Sequence, residues 1–192
     1  MRFHLQAPRT DGFSLVEVLV AMVILTIGLL GLAGLQARSH TAEAEAFSRA
    51  QALILVQDLA ERIATNRVEA KKGAASAYNT AVVQGVGHAD VNCAALPSTT
   101  SVEVAAKDLC EWDLALKGAT QTVSGSKVAS LTGARGCIVF QSAPIAQFVV
   151  TVAWAGRDSF GAPPVDRPCA SAAIPTGRRV ISQTVPFADL GA

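Results

Sequence analysis

Several arrangements that carry chemistry are missing from this sequence. Its four cysteines contain no CxxC pair, and its three histidines (His4, His40, His88) are scattered, so a zinc site is not expected. No Ser/His/Asp order, glycine-rich phosphate loop or paired-carboxylate pattern occurs, so neither an enzyme nor a cofactor is predicted. Positive charge is not gathered: no cluster exceeds Lys71-Lys72 or Arg178-Arg179 and the net charge is +1, which argues against direct nucleic-acid binding. Charged residues make up only 16% of the chain and aromatic residues 5%, whereas 51% are hydrophobic and the mean hydropathy is +0.37. Such a balance is too apolar for an ordinary soluble domain.

Much of the excess lies in one block. From Phe13 to Leu35 the only charge is Glu17, and the run, about 23 residues long, spans roughly 35 Å as a helix, enough for a bilayer core of about 30 Å. Arg2 and Arg9 precede it, whereas Arg38 is mixed with Glu43 and Glu45 after it. The positive-inside rule therefore puts the N-terminus in the cytoplasm and the remainder outside. The run is longer than a secretory signal core, and Leu35-Gln36-Ala37 puts a bulky residue where a signal cleavage site wants a small one, so retention is expected.

Between Arg38 and Arg67 there is no Gly or Pro, and Ala, Glu, Gln, Leu and Arg predominate. Val56, Leu59, Ala60 and Ile63 follow helical spacing, with Ala46, Ala50 and Leu53 read as the upstream continuation of the stripe; Arg49, Asp58 and Arg62 form a polar face. The spacing predicts one helix from the apolar block to about Arg67, about 55 residues and about 80 Å long, loosened locally at Gly28, Gly31 and Gly34.

From Gly73 to Thr100 small and polar residues accumulate, predicting a loop-rich link with one short helix. A helix is expected over Val102–Lys117, then strands near Thr120–Val128, Gly136–Phe140, Gln147–Ala155 and Arg179–Phe187, with a long Pro- and Gly-rich loop from Arg157 to Arg178 before the last. Antiparallel order follows most simply. Cys93, Cys110, Cys137 and Cys169 all lie in the part expected to be exported, where an oxidising compartment favours two disulfides. Of the three pairings, Cys93 with Cys110 and Cys137 with Cys169 close the local loops and are favoured. Trp112 and Trp154 are expected in the core, His40 and His88 in solvent.

The stretch Gly12-Phe13-Ser14-Leu15-Val16-Glu17 resembles the class III signal of type IV prepilins and of type II secretion pseudopilins. Asp11 stands where family leaders carry a basic or neutral residue, while Arg2 and Arg9 keep the leader positive. The resemblance implies that a membrane-embedded prepilin peptidase and methyltransferase cuts between Gly12 and Phe13 and methylates the Phe13 amine. It also implies that Glu17 meets the Phe13 amine of a neighbouring subunit during assembly. The run VEVLVAMVILTIGLLGLAGLQA, the Asp108–Trp112 segment, Gly136-Cys137-Ile138 and the Val150–Trp154 strand are similar to PilV-type minor pilins, also called type IV pilus modification proteins.

That family implies an α+β type IV pilin fold, a long N-terminal helix packed on a C-terminal antiparallel sheet. The expected parts are a leader (1–12), a transmembrane helix (13–35), its amphipathic continuation (36–68) and a periplasmic head (69–192). Expected partners are the peptidase, other minor pilins, the major pilin and a large tip-associated adhesin. The protein would be held in the inner membrane and then in the extracellular pilus, supporting adhesion and twitching motility. The alternatives are a minor pseudopilin of type II secretion, and a secreted binding protein or enzyme with a removable signal.

Overall fold

Helix α1 spans Leu15–Thr65 without interruption, in a computed structural model that describes residue 12 and residues 14–118, 122–123, 126–127, 131–156 and 168–186. Gly28, Gly31 and Gly34 do not break it. A Cβ at any of the three would meet nothing within 4 Å. The chain divides into two units, Met1–Glu43 and Ala44–Ala192. In the first, the described part of α1 exposes nearly its whole surface, including Leu15, Leu19, Met22, Ile24, Leu30 and Leu35.

In the second unit, α1 buries Ala52, Val56, Leu59, Ala60 and Ile63. Ala46, Ala50 and Leu53 do not continue that stripe; all three are exposed. At about 100° per residue they fall some 100–160° from Ala52, so the stripe continues upstream through half-buried Ser48 and Glu45 instead. The helix stops at Asn66, whose side chain donates to Ser101 O (2.8 Å) and Tyr78 Oη (3.2 Å). Its backbone leaves the helical region (φ −88°, ψ 58°) before a one-turn helix, α2 (Arg67–Ala70).

The predicted link is more structured than expected. It holds two 3-10 turns, Gly73–Ala75 and Cys93–Ala95, and a two-residue strand, β1 (Gln84–Gly85). Helix α3 (Ser101–Leu116) starts at a capping box: Thr100 Oγ1 accepts the Glu103 N–H, and the Glu103 carboxylate accepts the Thr100 N–H. It closes with Gly118 at φ +73°, a left-handed position that glycine takes without strain.

Four strands, β1, β4 (Arg135–Gln141), β5 (Gln147–Ala155) and β6 (Arg178–Pro186), form an antiparallel sheet in the order β1-β4-β5-β6. The weak segment near Thr120–Val128 is a hairpin of β2 (Thr122–Val123) and β3 (Ser126–Lys127) in a sheet of its own. Phe187, the expected end of the last strand, and residues 157–167 of the expected long loop lie outside the described residues.

Even-numbered residues of β5 (Phe148, Val150, Val152, Trp154) share the core face with Ile138 and Val185, packed with the α1 stripe, Tyr78, Trp112 and Leu116. Gly136 is required by this packing, since a Cβ there would run into the Trp112 ring and approach Leu116 Cδ1 to 2.8 Å. The ring cannot easily yield: it is fully buried and its Nε1 donates to Leu55 O at 2.8 Å.

Candidate functional site

At the start of α1, Ser14 O accepts the N–H groups of Glu17 (3.0 Å) and Val18 (3.3 Å), which places Glu17 in the first helical turn. Its carboxylate stands at the positive end of the helix dipole, a favourable position for an anion. It is nevertheless surrounded along the helix by exposed Leu15, Val16, Val18 and Leu19, and among the described residues it forms no ion pair. Gly12 is exposed; Phe13 lies outside the described residues. A carboxylate on an apolar helix long enough to cross a membrane is costly to bury without a partner.

The polar groups of the second unit are committed internally. Arg62 Nε donates to Asp58 Oδ1 (3.1 Å), and its Nη1 donates to Asp108 Oδ1 (3.1 Å) and Glu111 Oε2 (2.7 Å), joining α1 to α3. Burial pulls the guanidinium pKa down, but the bonds to Glu111, Asp58 and Asp108 outweigh it and hold the value above normal. Arg62 and Asp58 are therefore a seam under α3 rather than a free polar face. Tyr78 Oη donates to Asp108 Oδ2 at 2.5 Å, and burial together with that carboxylate pushes the phenol pKa up.

Glu69, 1% exposed, accepts from Lys72 Nζ (2.6 Å), the Ala77 N–H (2.8 Å) and Ser101 Oγ (3.2 Å). Burial alone would raise its pKa; the three donors reverse this and hold it below the ordinary carboxylate range. Asp113, buried on α3, accepts from the Gly85 N–H (2.6 Å) and Lys117 Nζ (2.7 Å) and lies 3.0 Å from His88 Nδ1. Burial pulls the Lys117 pKa down, yet Asp113 and Asp90 keep it above normal. His88 is thus part of a clamp holding β1 to α3, not a solvated residue as expected, whereas His40 is exposed, 3.4 Å from Glu43.

Cys93 is bonded to Cys110 and Cys137 to Cys169, with Cα separations of 5.6 and 5.8 Å. The first joins the turn Cys93–Ala95 to α3, and the second ties β4 to the loop before β6. Trp112 and Trp154 are buried in the core. Glu69, Tyr78 and Asp113 were not singled out from the sequence, where each looks like any polar residue of a link or an amphipathic helix. Among the described residues no group of three His, Cys, Asp or Glu is placed to hold a metal.

Comparison with known families agrees with the two halves of this description. Residues 8–33 match the prokaryotic N-terminal methylation motif, and residues 34–110 match the family model described as type IV pilin Tt1218. No curated protein and no solved structure matches the chain. The long N-terminal helix and the four-stranded antiparallel sheet form an α+β arrangement consistent with the type IV pilin fold. Type IV pilins are structural subunits, not enzymes.

Proposed function

We propose that the chain is a PilV-type minor pilin, processed between Gly12 and Phe13 by a prepilin peptidase that methylates Phe13. It is stored in the inner membrane through residues 13–35, with the N-terminus cytoplasmic and the head periplasmic. From there it joins other minor pilins and the major pilin, primes pilus assembly and sits at the tip beside a large adhesin. Adhesion and twitching motility follow at the level of the pilus.

The observation that carries this reading is Glu17: a lone carboxylate five residues after Gly12, in the first turn of a helix whose apolar surface is left uncovered. In lipid that charge is unfavourable, whereas in a bundle of like helices it is offset by the Phe13 amine of the next subunit, so the contact sets axial register. The matches to the methylation motif and to a type IV pilin family add support.

Mass spectrometry of the mature protein tests it. The expected N-terminus is Phe13 carrying one methyl group; a terminus at Arg38 or beyond would mean a secreted protein with a removable signal. Co-purification with pilus rather than secretion components separates the minor pilin from a pseudopilin.

A further inference from the structure

We infer that Glu61 of one copy of this chain and Arg135 of the next form an ion pair between their heads, a head-to-tail contact that continues along a filament. This deepens the proposed role as an assembling pilin and rests on it.

The two groups are left over when the charges of the second unit are matched. Among the described carboxylates of that unit, from Glu45 to Asp113, every one except Glu61 accepts a hydrogen bond within the chain. Glu61 is exposed, and among the described residues it has no bond or ion pair. Arg135 is a half-buried cation whose Nε is sealed from solvent with no acceptor; among the described residues its guanidinium forms no hydrogen bond or ion pair. Exposed cations such as Arg49 and Arg67 are satisfied by water. A guanidinium that has lost water at Nε without gaining an acceptor holds a partly desolvated charge, which favours an anion at its remaining N–H groups.

The backbone beside Arg135 leaves room for that anion. The turn Gly85–His88 is closed by the His88 N–H on Gly85 O (3.0 Å), with Gly87 at φ +95°. A Cβ on Gly87 would stand 3.0 Å from Arg135 Nη1, so the glycine keeps the guanidinium uncrowded on this side. The planar fork of a guanidinium matches a carboxylate in shape and charge.

Glu61 and Arg135 stand on opposite sides of the core. At about 100° per residue, Glu61 lies about 140–180° round α1 from Ala52, Val56, Leu59 and Ile63, which pack with the even-numbered residues of β4 and β5. Arg135 takes the other face of β4, since its neighbour Gly136 is the residue turned to Trp112. The pair therefore cannot close within one chain. Between copies it joins two different patches, and such a heterologous contact extends from copy to copy as a helical filament requires.

The test uses the full-length chain in cells that make filaments. Glu61→Arg and Arg135→Glu are each expected to keep the wild-type urea midpoint and to fall at least about tenfold in sheared filaments, whereas the double exchange returns to within about twofold of wild type. Single exchanges that incorporate normally, or a double exchange that stays as poor as either one, overturn the inference and leave the pilin reading standing. If Arg135→Glu fails to fold, Arg135→Lys decides: carbodiimide treatment of its filaments should give a dimer linked between positions 61 and 135 in mass spectra, lost when Glu61→Gln is added. No dimer, or position 135 joined to another carboxylate, overturns the inference. A wild-type chain that enters no filament overturns the pilin reading itself, and this inference with it.

Discussion

Replacing Gly136 by alanine sets two effects of opposite sign against each other. In a strand, Ala is favoured over Gly by up to about 1 kcal/mol because less backbone entropy is lost on folding. Here the added methyl enters the Trp112 ring and comes within 2.8 Å of Leu116 Cδ1, both fully buried. Overpacking of this kind costs about 1–3 kcal/mol, and displacing the indole from Leu55 O adds about 1 kcal/mol. The clash wins by about 1–3 kcal/mol, a urea midpoint lowered by roughly 1–2 M for a unit of this size. Urea titration of the full-length protein in detergent, followed by tryptophan fluorescence, reads the shift, since both tryptophans lie in the core of the second unit. In a Trp112→Leu background the cost of Gly136→Ala should nearly vanish, giving a coupling of about 1–3 kcal/mol. A wild-type midpoint for Gly136→Ala, or a cost unchanged by Trp112→Leu, would refute the packing of α3 on β4 described above.

Glu69→Gln should cost about 2–4 kcal/mol at neutral pH, because Lys72 and the Ala77 N–H lose a buried carboxylate. Since the folded pKa of Glu69 is depressed, its contribution is present above the unfolded carboxylate value and is lost as pH falls through the folded one. Midpoints measured from pH 7 down to pH 3 should therefore fall less steeply for the variant than for wild type; parallel curves would contradict the assignment. Removing the Cys93–Cys110 bond by paired Ser substitutions should lower stability by about 3 kcal/mol, and removing Cys137–Cys169, which closes the longer loop, by somewhat under 4 kcal/mol. Urea midpoints of the two variants under non-reducing conditions check the order. Glu17→Ala should leave cleavage after Gly12 intact while reducing incorporation into filaments at least about tenfold, if the carboxylate offsets a charged amine; immunoblots of membrane and sheared fractions would show otherwise.

By itself the sequence determined the local periodicities. An apolar run with one carboxylate, a stretch free of Gly and Pro, and strict alternation in QFVVTVAWA each report a helix or strand through short-range sterics and hydropathy, and β5 falls at Gln147–Ala155 as its pattern requires. The Gly12–Glu17 signal is legible for the same reason: it is contiguous.

Tertiary structure decided which side of each element is covered. Ala46, Ala50 and Leu53 have the spacing of a core stripe, yet the sheet packs against the face through Ser48, Ala52 and Val56. Nothing local in the sequence says which face the sheet will meet. The same holds for His88, Glu69 and Asp113, polar residues that, beside the nearby Lys72 and Lys117, have partners 8 to 32 positions away, and for β1, two residues recognisable as a strand only because β4 lies beside them. Long-range contacts of this kind depend on how the whole chain closes, and no window of sequence contains both partners.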